Sequence, residues 1–299
     1  MNQVSASIVA YKTSPDDLVA CIRSVLCSSI LTKCTVVDNS PTPTLGDFVK
    51  DSGAEYVFIG RNIGFGAGHN LALSKNSGSA EYHLVLNPDV SFAPEVLPAL
   101  HEFMSANSEV GLVMPKVLFL DGSEQRLCKL LPSPSDLVLR RFLGTLGSRL
   151  FKSRLDRYEL RQHELHETCQ VPSLSGCFMF IRNSILDSVG LFDERYFMYM
   201  EDVDLCRRIG LRSKTVFYPH VSITHGYAKG SYSSYRLLKH HIRSAVLYFA
   251  KWGWFRDQEG KLLNQRVVPF DRNRVDSTFR SQTPSDSYEM SKNTEPVSS

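Results

Sequence analysis

The sequence predicts an α/β fold in which a mostly parallel central sheet is flanked by helices. Short apolar runs, typical of buried strands, alternate with amphipathic helix signals through the first third of the chain. Polar clusters directly follow three of these runs, where ligands bind in parallel sheets. The chain has 299 residues, 42% of them hydrophobic, which is enough to bury the core of one domain of about 250 residues.

The elements are predicted in order along the chain. Apolar runs at residues 7–11, 35–37, 56–59 and 83–86 predict four strands. The first helix is expected after Ser14, since Pro15 fits a first helical turn and acids follow it. Its apolar face has helical spacing: Leu18, Ile22, Val25 and Leu26. Further elements are a short helix near residues 70–73, a strand at 215–218 and a helix from about residue 201.

Composition excludes several classes of protein. A formal net charge of +3 gives no reason to expect a nucleic-acid partner. The seven cysteines are odd in number and contain no CxxC pair, which argues against a disulfide framework and a zinc ribbon. No signal peptide and no run of about 20 apolar residues is visible. We therefore expect a cytoplasmic protein.

The Asn87-Pro88-Asp89 sequence directly follows a predicted strand. A carboxylate at this position is well placed to hold a hard divalent cation, which prefers oxygen ligands. The same tripeptide is also an ordinary turn. His225 ends another strand-like region and is compatible with a metal ligand, a phosphate contact or a structural histidine.

A glycine-rich stretch, residues 64–70, follows the third predicted strand. The dinucleotide fingerprint G-x-G-x-x-G fails, because His69 and Leu71 stand where its last glycine is needed. The glycines are compatible with close approach to a bound nucleotide and equally with a tight turn that binds nothing.

Glu201 and Asp202 are predicted to lie at the N-terminus of a helix, where the helix dipole favours acids. A carboxylate with restricted solvent access there can act as a general base toward a hydroxyl group. A solvated helix start with acidic caps is the alternative.

Taken together and in order, these stretches resemble glycosyltransferase family 2, and most closely its bacterial rhamnosyltransferase-like members. The similarity spans residues 7 to about 230, some three quarters of the chain. The matching segments are SIVAY at 7–11, VVDNS at 36–40, NIGFGAGHN at 62–70, LNPD at 86–89, SGCFM at 175–179, FDERYF at 192–197 and EDVDLCRR at 201–208.

The resemblance implies a GT-A domain over residues 1–255. Residues 1–119 would form a nucleotide-binding half, and residues 120–255 an acceptor half with a basic insertion at about 120–171. Residues 256–299 are expected to form a C-terminal extension. It should be largely disordered from about residue 271, because it has too few apolar residues to offset the ordering entropy.

The resemblance also implies site residues. The expected donor-binding residues are Ala10, Tyr11, Asp38, Asn39, Arg61, Asn62, Gly64, Gly66, Asn70, Asn87 and Asp89. Asp38 would bind the N–H of a pyrimidine base. Asp89, with His225, would hold Mg²⁺ or Mn²⁺, while Asn87 replaces an acid present in many members. Asp202, with Glu201 beside it, stands at the position of the catalytic base.

The implied reaction is a single inverting displacement at the sugar, with dTDP-rhamnose as the best candidate for the nucleotide-sugar donor. The acceptor would be a glycan or a lipid-linked precursor. The basic and apolar residues between Arg140 and Arg161 are compatible with peripheral contact to an anionic membrane or with a solvated basic helix. The alternatives are a non-catalytic nucleotide-sugar-binding relative and a sugar-nucleotide pyrophosphorylase. A pyrophosphorylase needs a glycine-rich loop right after the first strand, whereas residues 12–15 of this chain are Lys-Thr-Ser-Pro.

Overall fold

The structure, a computed structural model, describes residues 3–75, 78, 80–142, 151–161, 165–226 and 235–270. The predicted disordered tail from about residue 271 and the central part of the basic stretch lie outside these residues. All seven cysteines are free thiols, and Cys27 is exposed while the other six are buried.

The first part of the chain alternates strands and helices as the sequence predicts. Its elements are β1 (Val4–Ala10), α1 (Pro15–Leu26), β2 (Leu31–Asp38), α2 (Gly46–Lys50), β3 (Glu55–Phe58), α3 (Phe65–Lys75), β4 (Tyr82–Leu86), β5 (Val90–Phe92), α4 (Val96–Ala106) and β6 (Val110–Leu118). Helix α1 begins at Pro15 after Ser14, and its buried face is Leu18, Cys21, Ile22 and Val25. Helix α3 begins earlier than predicted, directly after Gly64, whose φ of +98° changes the chain direction.

The second part is less regular. Its elements are α5 (Pro134–Phe142), α6 (Lys152–Tyr158), β7 (Cys169–Gln170), β8 (Phe178–Arg182), α7 (Asn183–Val189), α8 (Glu201–Gly210), β9 (Lys214–His225), α9 (Tyr235–Trp252), α10 (Gln258–Asn264) and β10 (Val268–Pro269). Strand β9 is much longer than the predicted strand at 215–218, because it continues past a register shift to pair with both β6 and β5.

The described strands form one sheet in the order β10-β7-β9-β6-β8-β4-β1-β2-β3, with β5 paired to β9. Strands β4, β1, β2 and β3 pair parallel with one another, as do β6 and β9. Strands β8, β7, β10 and β5 pair antiparallel. The predicted fold class, a mixed and mostly parallel sheet flanked by helices, is confirmed.

Register places the ends of the parallel strands side by side. Ala10 pairs with Asp38, and Asp38 pairs with Phe58, while Ile8 pairs with Leu86. The segments that follow β1, β2, β3 and β4 therefore leave the same edge of the sheet, at neighbouring positions about 5 Å apart. This edge carries most of the predicted donor-binding residues.

The C-terminal extension is joined to the domain as far as residue 270. Strand β10 adds an edge strand to the sheet through β7, and Leu263 of α10 is buried beside Gly210. The boundary expected at residue 255 therefore separates segments that the structure packs together. Within the described residues, no helix is long and apolar enough to cross a bilayer.

Candidate active site

The carboxylate of Asp38 is fully buried at the end of β2. It accepts a hydrogen bond from the backbone N–H of Ser40 at 2.9 Å and one from the hydroxyl of Tyr56 at 2.6 Å. Burial and the neighbouring carboxylate raise the pKa of Tyr56, so the phenol keeps its proton and donates. Two protein donors already hold Asp38, and its predicted contact with a pyrimidine base stays a prediction.

The turn after β1 lies beside Asp38. The backbone N–H of Asn39 donates to the carbonyl of Ala10 at 2.8 Å, which ties the ends of β1 and β2 together. Tyr11, the next residue, is 39% exposed and therefore accessible to a ligand. The side chain of Asn39 donates to the carbonyl of Gly64 at 3.0 Å, which joins this turn to the glycine-rich stretch.

The glycine-rich stretch is explained by close packing. A Cβ atom on Gly64 would lie 2.4 Å from the carbonyl oxygen of Phe197, and one on Gly66 would lie 2.9 Å from the Cβ of Phe192. The amide of Asn70 is bonded to the backbone of Phe192 in both directions, at 2.9 and 3.0 Å. These three predicted donor-binding residues hold α3 against residues 192–197, and donor contact by them stays a prediction.

Two further residues lie on the turn between β3 and α3. Asn62 accepts a hydrogen bond from the backbone N–H of Gly64 at 3.0 Å and is half-buried, while Arg61 is exposed. Asn62 therefore shapes the turn, and the side chain of Arg61 is in solvent, like that of Lys12 after β1.

Asn87, Asp89 and His225 come together where β4 ends. The imidazole Nε2 of His225 lies 3.1 Å from the Nδ2 of Asn87 and 3.4 Å from the Oδ1 of Asp89. Val90 pairs with His225 across β5 and β9, and this pairing brings the two distant segments into contact. His225 is 4% exposed, whereas the side chain of Asp89 is 26% exposed and faces solvent in part.

Gln125 fixes the protonation pattern of this group. Its Nε2 donates to the carbonyls of His225 at 2.7 Å and Leu118 at 3.2 Å, so its Oε1 must be the atom 3.0 Å from the Nδ1 of His225. An amide oxygen only accepts, and Nδ1 therefore carries the proton. The lone pair of a neutral His225 is then on Nε2, which is directed at Asn87 and Asp89.

This donor set fits a divalent cation that also binds phosphate. Among the described residues, no three His, Cys, Asp or Glu side chains come close enough to form a complete metal site. Mg²⁺ and similar cations in nucleotide sites commonly bind one or two protein ligands and take the rest from phosphates and water. One partly exposed carboxylate with one imidazole turned toward it meets that requirement.

Asp202 lies in the first turn of α8. Its Oδ1 accepts from the backbone N–H of Val203 at 2.8 Å and its Oδ2 from that of Gly176 at 3.0 Å. A Cβ atom on Gly176 would lie 3.2 Å from the Cβ of Asp202, so only glycine allows this approach without a shift. The backbone before β8 thereby holds the carboxylate in one orientation.

Glu201 is buried beside Asp202 and is 5% exposed. Its burial, and the neighbouring charge of Asp202, raise its pKa. Near neutral pH, Glu201 is therefore protonated to a larger extent than an ordinary glutamate. The two residues before it, Tyr199 and Met200, both have positive φ values, 68° and 67°, in a backbone region that costs energy for non-glycine residues.

Cys177 connects the two acids of the site. The carboxylates of both Asp89 and Asp202 contribute to raising the pKa of this buried thiol to about 12, after the larger effect of burial. Its backbone carbonyl accepts from the N–H of Asn87 at 3.0 Å, next to the N–H of Gly176 that binds Asp202. Asp89 and Asp202 therefore both lie close to this short segment, and both are half-buried.

The other charged residues of α8 have structural roles. Asp204 is fully buried and is bonded to Arg208, Lys251 and the indole N–H of Trp252 at 2.8–3.0 Å. Arg207 is 1% exposed, forms two 2.6 Å bonds with Asp257, and lies over the ring of Trp252. These contacts fasten the helix that carries Asp202 to the C-terminal helices.

The sequence profile of the family described as Glycosyl transferase family 2 matches residues 5–190. The chain belongs to this family. Curated relatives agree: it is 31% identical over 211 residues to N-acetylglucosaminyl-diphospho-decaprenol L-rhamnosyltransferase of Mycobacterium tuberculosis, covering 66% of this chain and 67% of that protein. It is 24% identical to the rhamnosyltransferase WbbL of Escherichia coli K12, covering 67% of this chain and 75% of that protein.

Solved structures share the fold of this family 2 glycosyltransferase. GalNAc-T7, solved with UDP, GalNAc and Mn²⁺, superposes with a TM-score of 0.59 at 14% identity, over 84% of this chain and 49% of that one. S. aureus TarS 1-349 superposes with a TM-score of 0.51 at 16% identity, over 75% and 60%. The chain thus spans about half of the GalNAc-T7 chain, and the predicted GT-A fold is confirmed.

Sequence reasoning missed several residues that shape the site of this glycosyltransferase. Tyr56, Gln125 and Gly176 hold Asp38, His225 and Asp202, respectively. Their partners lie 18, 100 and 26 positions away along the chain, so spacing gives no signal for them. For Gly176 there was one indication in the sequence of a role in the site, because residues 175–179 match the family pattern.

Proposed function

We propose that this family 2 glycosyltransferase is an inverting rhamnosyltransferase that uses dTDP-rhamnose and a lipid-linked glycan acceptor. The observation that carries the proposal is that Asp89 and Asp202 both lie close to one short segment, Gly176 and Cys177. One acid is then available to the donor's diphosphate region and the other to an incoming hydroxyl. Two relatives support rhamnose as the transferred sugar, since one is an L-rhamnosyltransferase and the other a rhamnosyltransferase.

Asp202 is the proposed general base. Both its oxygens already accept backbone N–H bonds, which hold it in place while lone pairs remain for a substrate hydroxyl. In the proposed step the acceptor oxygen forms a bond to the anomeric carbon and gives its proton to Asp202. The bond from that carbon to the diphosphate oxygen breaks, and the nucleoside diphosphate leaves with the electron pair. A single displacement of this kind inverts the sugar configuration.

Asp89 and His225 are the proposed ligands of a divalent cation. A bound Mg²⁺ or Mn²⁺ would supply positive charge that stabilises the leaving diphosphate. The chemistry of the two side chains supports this role, as does the Nε2 lone pair that Gln125 keeps directed at Asp89. GalNAc-T7, which shares the fold, was solved with Mn²⁺ and UDP.

The edge formed by Ala10, Tyr11, Asp38, Asn39 and Asn62 is the proposed nucleotide site. It lies at the carboxyl ends of parallel strands, where open α/β sheets bind ligands. Tyr11 is an exposed aromatic ring of this edge and is available to stack on a base.

The proposal is tested with purified protein, dTDP-rhamnose and a polyprenyl diphosphate carrying one sugar, in the presence of Mg²⁺ or Mn²⁺. We expect rhamnose in the product, with an anomeric configuration opposite to that of the donor by NMR. In a thermal-shift panel that compares dTDP-rhamnose with UDP- and GDP-sugars, dTDP-rhamnose should raise the melting temperature most. Retention of configuration would refute the mechanism, and donor binding without any transfer would indicate a non-catalytic relative.

A further inference from the structure

Helix α9 has one face committed to the active-site region. The ring of His240 stacks on Phe197 with centroids 4.5 Å apart, and the hydroxyl of Ser244 donates to the carbonyl of Met198 at 2.8 Å. Tyr199 makes a further ring contact with this helix. The contacted residues directly precede Glu201 and Asp202, so this face of α9 supports the segment that leads to the proposed base.

The other face of α9 is in solvent and combines cations with apolar side chains. Its residues, called here the basic-apolar stripe, are Tyr235, Arg236, Lys239, Ile242, Arg243 and Val246, all exposed. Tyr235 is 85% exposed and both Ile242 and Val246 are 47% exposed. At 100° per residue these positions occupy an arc of roughly 120° along one side of the helix.

Within the described residues, no acid neutralises the positive charge of the stripe. Helix α9 contains no Asp or Glu. In the part of the chain that the structure describes, Arg236, Lys239 and Arg243 have no acidic partner. Burial lowers the pKa of His240, and the nearby positive charges of these three residues lower it further. By contrast Lys251, on another side of the helix, is paired with Asp193 and Asp204.

Exposed aromatic residues continue the apolar character beyond the end of α9. The chain turns at Gly253, which has a φ of +100°. Phe255 is then 86% exposed, and Trp254 is 43% exposed while its ring packs on Phe249. Trp and Tyr side chains of this kind are enriched at the interface between membrane and water.

We propose that the basic-apolar stripe binds the surface of a membrane that carries anionic lipids. Cations that lack acidic partners attract lipid phosphates, while the aliphatic and aromatic side chains between them enter the boundary between headgroups and acyl chains. An acidic protein would account for the cations but not for the apolar residues that alternate with them. The inference rests on the proposed function only for the identity of the acceptor.

The placement gives the surface a use in catalysis. A helix with its side chains is about 10 Å thick, so a membrane in contact with the stripe lies about one helix diameter from residues 197–200. The diphosphate and first sugar of a lipid-linked acceptor project from a bilayer by a comparable distance. The stripe would therefore hold Asp202 at the height where the acceptor hydroxyl is presented.

The basic stretch between Arg140 and Arg161 is a weaker candidate for membrane contact in its described part. Lys152 lies 3.9 Å from Asp156, and Arg161 lies 2.7 Å from Glu159. Arg154 is paired with Asp136 at 2.7 Å. Acids in the protein therefore offset much of the positive charge, and this segment serves as a matched control of similar length and exposure.

The test measures cosedimentation of the full chain with phosphatidylcholine vesicles, with and without phosphatidylglycerol. Each cation near an anionic surface contributes about fivefold to the partition coefficient, so the variant with Arg236→Glu, Lys239→Glu and Arg243→Glu should lose about 100-fold or more. The control with Lys152→Glu, Arg157→Glu and Arg161→Glu should lose much less. Replacing Ile242 and Val246 by Ser should also weaken binding.

The melting temperature and two activity assays distinguish loss of membrane binding from loss of folding and from loss of the proposed reaction. The stripe variant should keep its melting temperature and its activity on a water-soluble acceptor, and lose activity on an acceptor embedded in phosphatidylglycerol vesicles. Wild-type protein that fails to bind these vesicles, or a stripe variant that binds them as well as wild type, would overturn the inference. So would a larger loss in the control variant, or a stripe substitution that changes only the oligomeric state. Vesicle binding without any sugar transfer would contradict the proposed function and leave this inference standing.

Discussion

The proposed nucleotide half and the proposed acceptor half place their site residues by different means. In residues 3–119, polar residues directly follow parallel strands, and register alone brings Ala10, Asp38 and Asn87 to one edge. In residues 120–270, Asp202 begins a helix and His225 ends a long strand. Their positions depend on contacts with Gly176 and Gln125, which are far away in the sequence.

This difference has a physical consequence. A residue at the end of a parallel strand is placed by the backbone ladder, so its position survives many changes in side chains around it. A residue at a helix start is placed by whatever fixes that helix. For α8 the fixing contacts are buried charge pairs of Arg207 and Asp204 with the C-terminal helices. We therefore expect the acceptor half to be the more sensitive to single substitutions.

The largest expected effect is that of Asp202→Asn. Asparagine keeps the size of the side chain and can still accept one of the two backbone bonds, but it cannot take a proton from the acceptor. Turnover should fall by about 100-fold or more, with donor affinity nearly unchanged. Single-turnover kinetics together with donor titration measure the two quantities. Asp187→Asn, an exposed acid on α7, is the control, and near-normal turnover in Asp202→Asn would remove it from the role of base.

The ion pair between Arg207 and Asp257 should give the next effect, on stability. Arg207 is 1% exposed, and Asp257→Asn leaves its charge with only the more distant, exposed carboxylate of Glu259 while retaining an N-cap for α10. Loss of one partner of a buried pair costs about 3–5 kcal/mol, and the 25% exposure of Asp257 reduces the expected loss to about 2–3 kcal/mol.

Urea denaturation measures the free energy of unfolding of this variant. Glu259→Gln is the control, because Glu259 lies 3.9 Å from Arg207 but is 63% exposed, and such pairs contribute at most about 1 kcal/mol. Equal losses in the two variants would show that Asp257 does not hold α8 in place. The comparison between the halves would then lose its main support.

Much of the nucleotide half was predictable from the sequence. Apolar runs and turn residues located β1, β2, β3 and β4, and the cap signals placed the start of α1. Strand β6, Val110–Leu118, was missed; Pro115 and Lys116 interrupt its otherwise apolar run, and a proline within a run argues against a strand. The start of α8 at Glu201 agrees with its acidic first turn.

What the sequence could not predict are contacts between distant residues. His69 is one example, because its place in the glycine-rich stretch suggests a nucleotide loop. In the structure His69 is buried, and its Nδ1 lies 2.7 Å from the hydroxyl of Ser7. Burial, then the nearby His83, lowers its pKa and keeps it neutral. The pairing of β10 with β7 is another, because it joins Val268 to Gln170, which lie far apart in the sequence.

The smallest expected effect is that of Gln125→Leu, which tests the contact between His225 in one proposed half and Asp89 in the other. Leucine has a similar size but cannot accept the Nδ1–H of His225, so the imidazole loses the bond that fixes its tautomer. Residues that hydrogen-bond to a metal ligand in this way contribute about 10–100-fold to metal affinity. We expect a fall of about tenfold in the affinity for Mn²⁺ in the presence of dTDP, measured by electron paramagnetic resonance.

A second readout separates tautomer control from a general loss of packing. The ¹⁵N chemical shifts of His225 in the metal-free protein should indicate the Nδ1–H form in wild type and a mixture in Gln125→Leu. Gln258→Leu, at an exposed position on α10, should change neither quantity. Unchanged Mn²⁺ affinity together with a changed tautomer would show that His225 is not a ligand. The cation would then depend on Asp89 alone, and the metal site would belong to the nucleotide half.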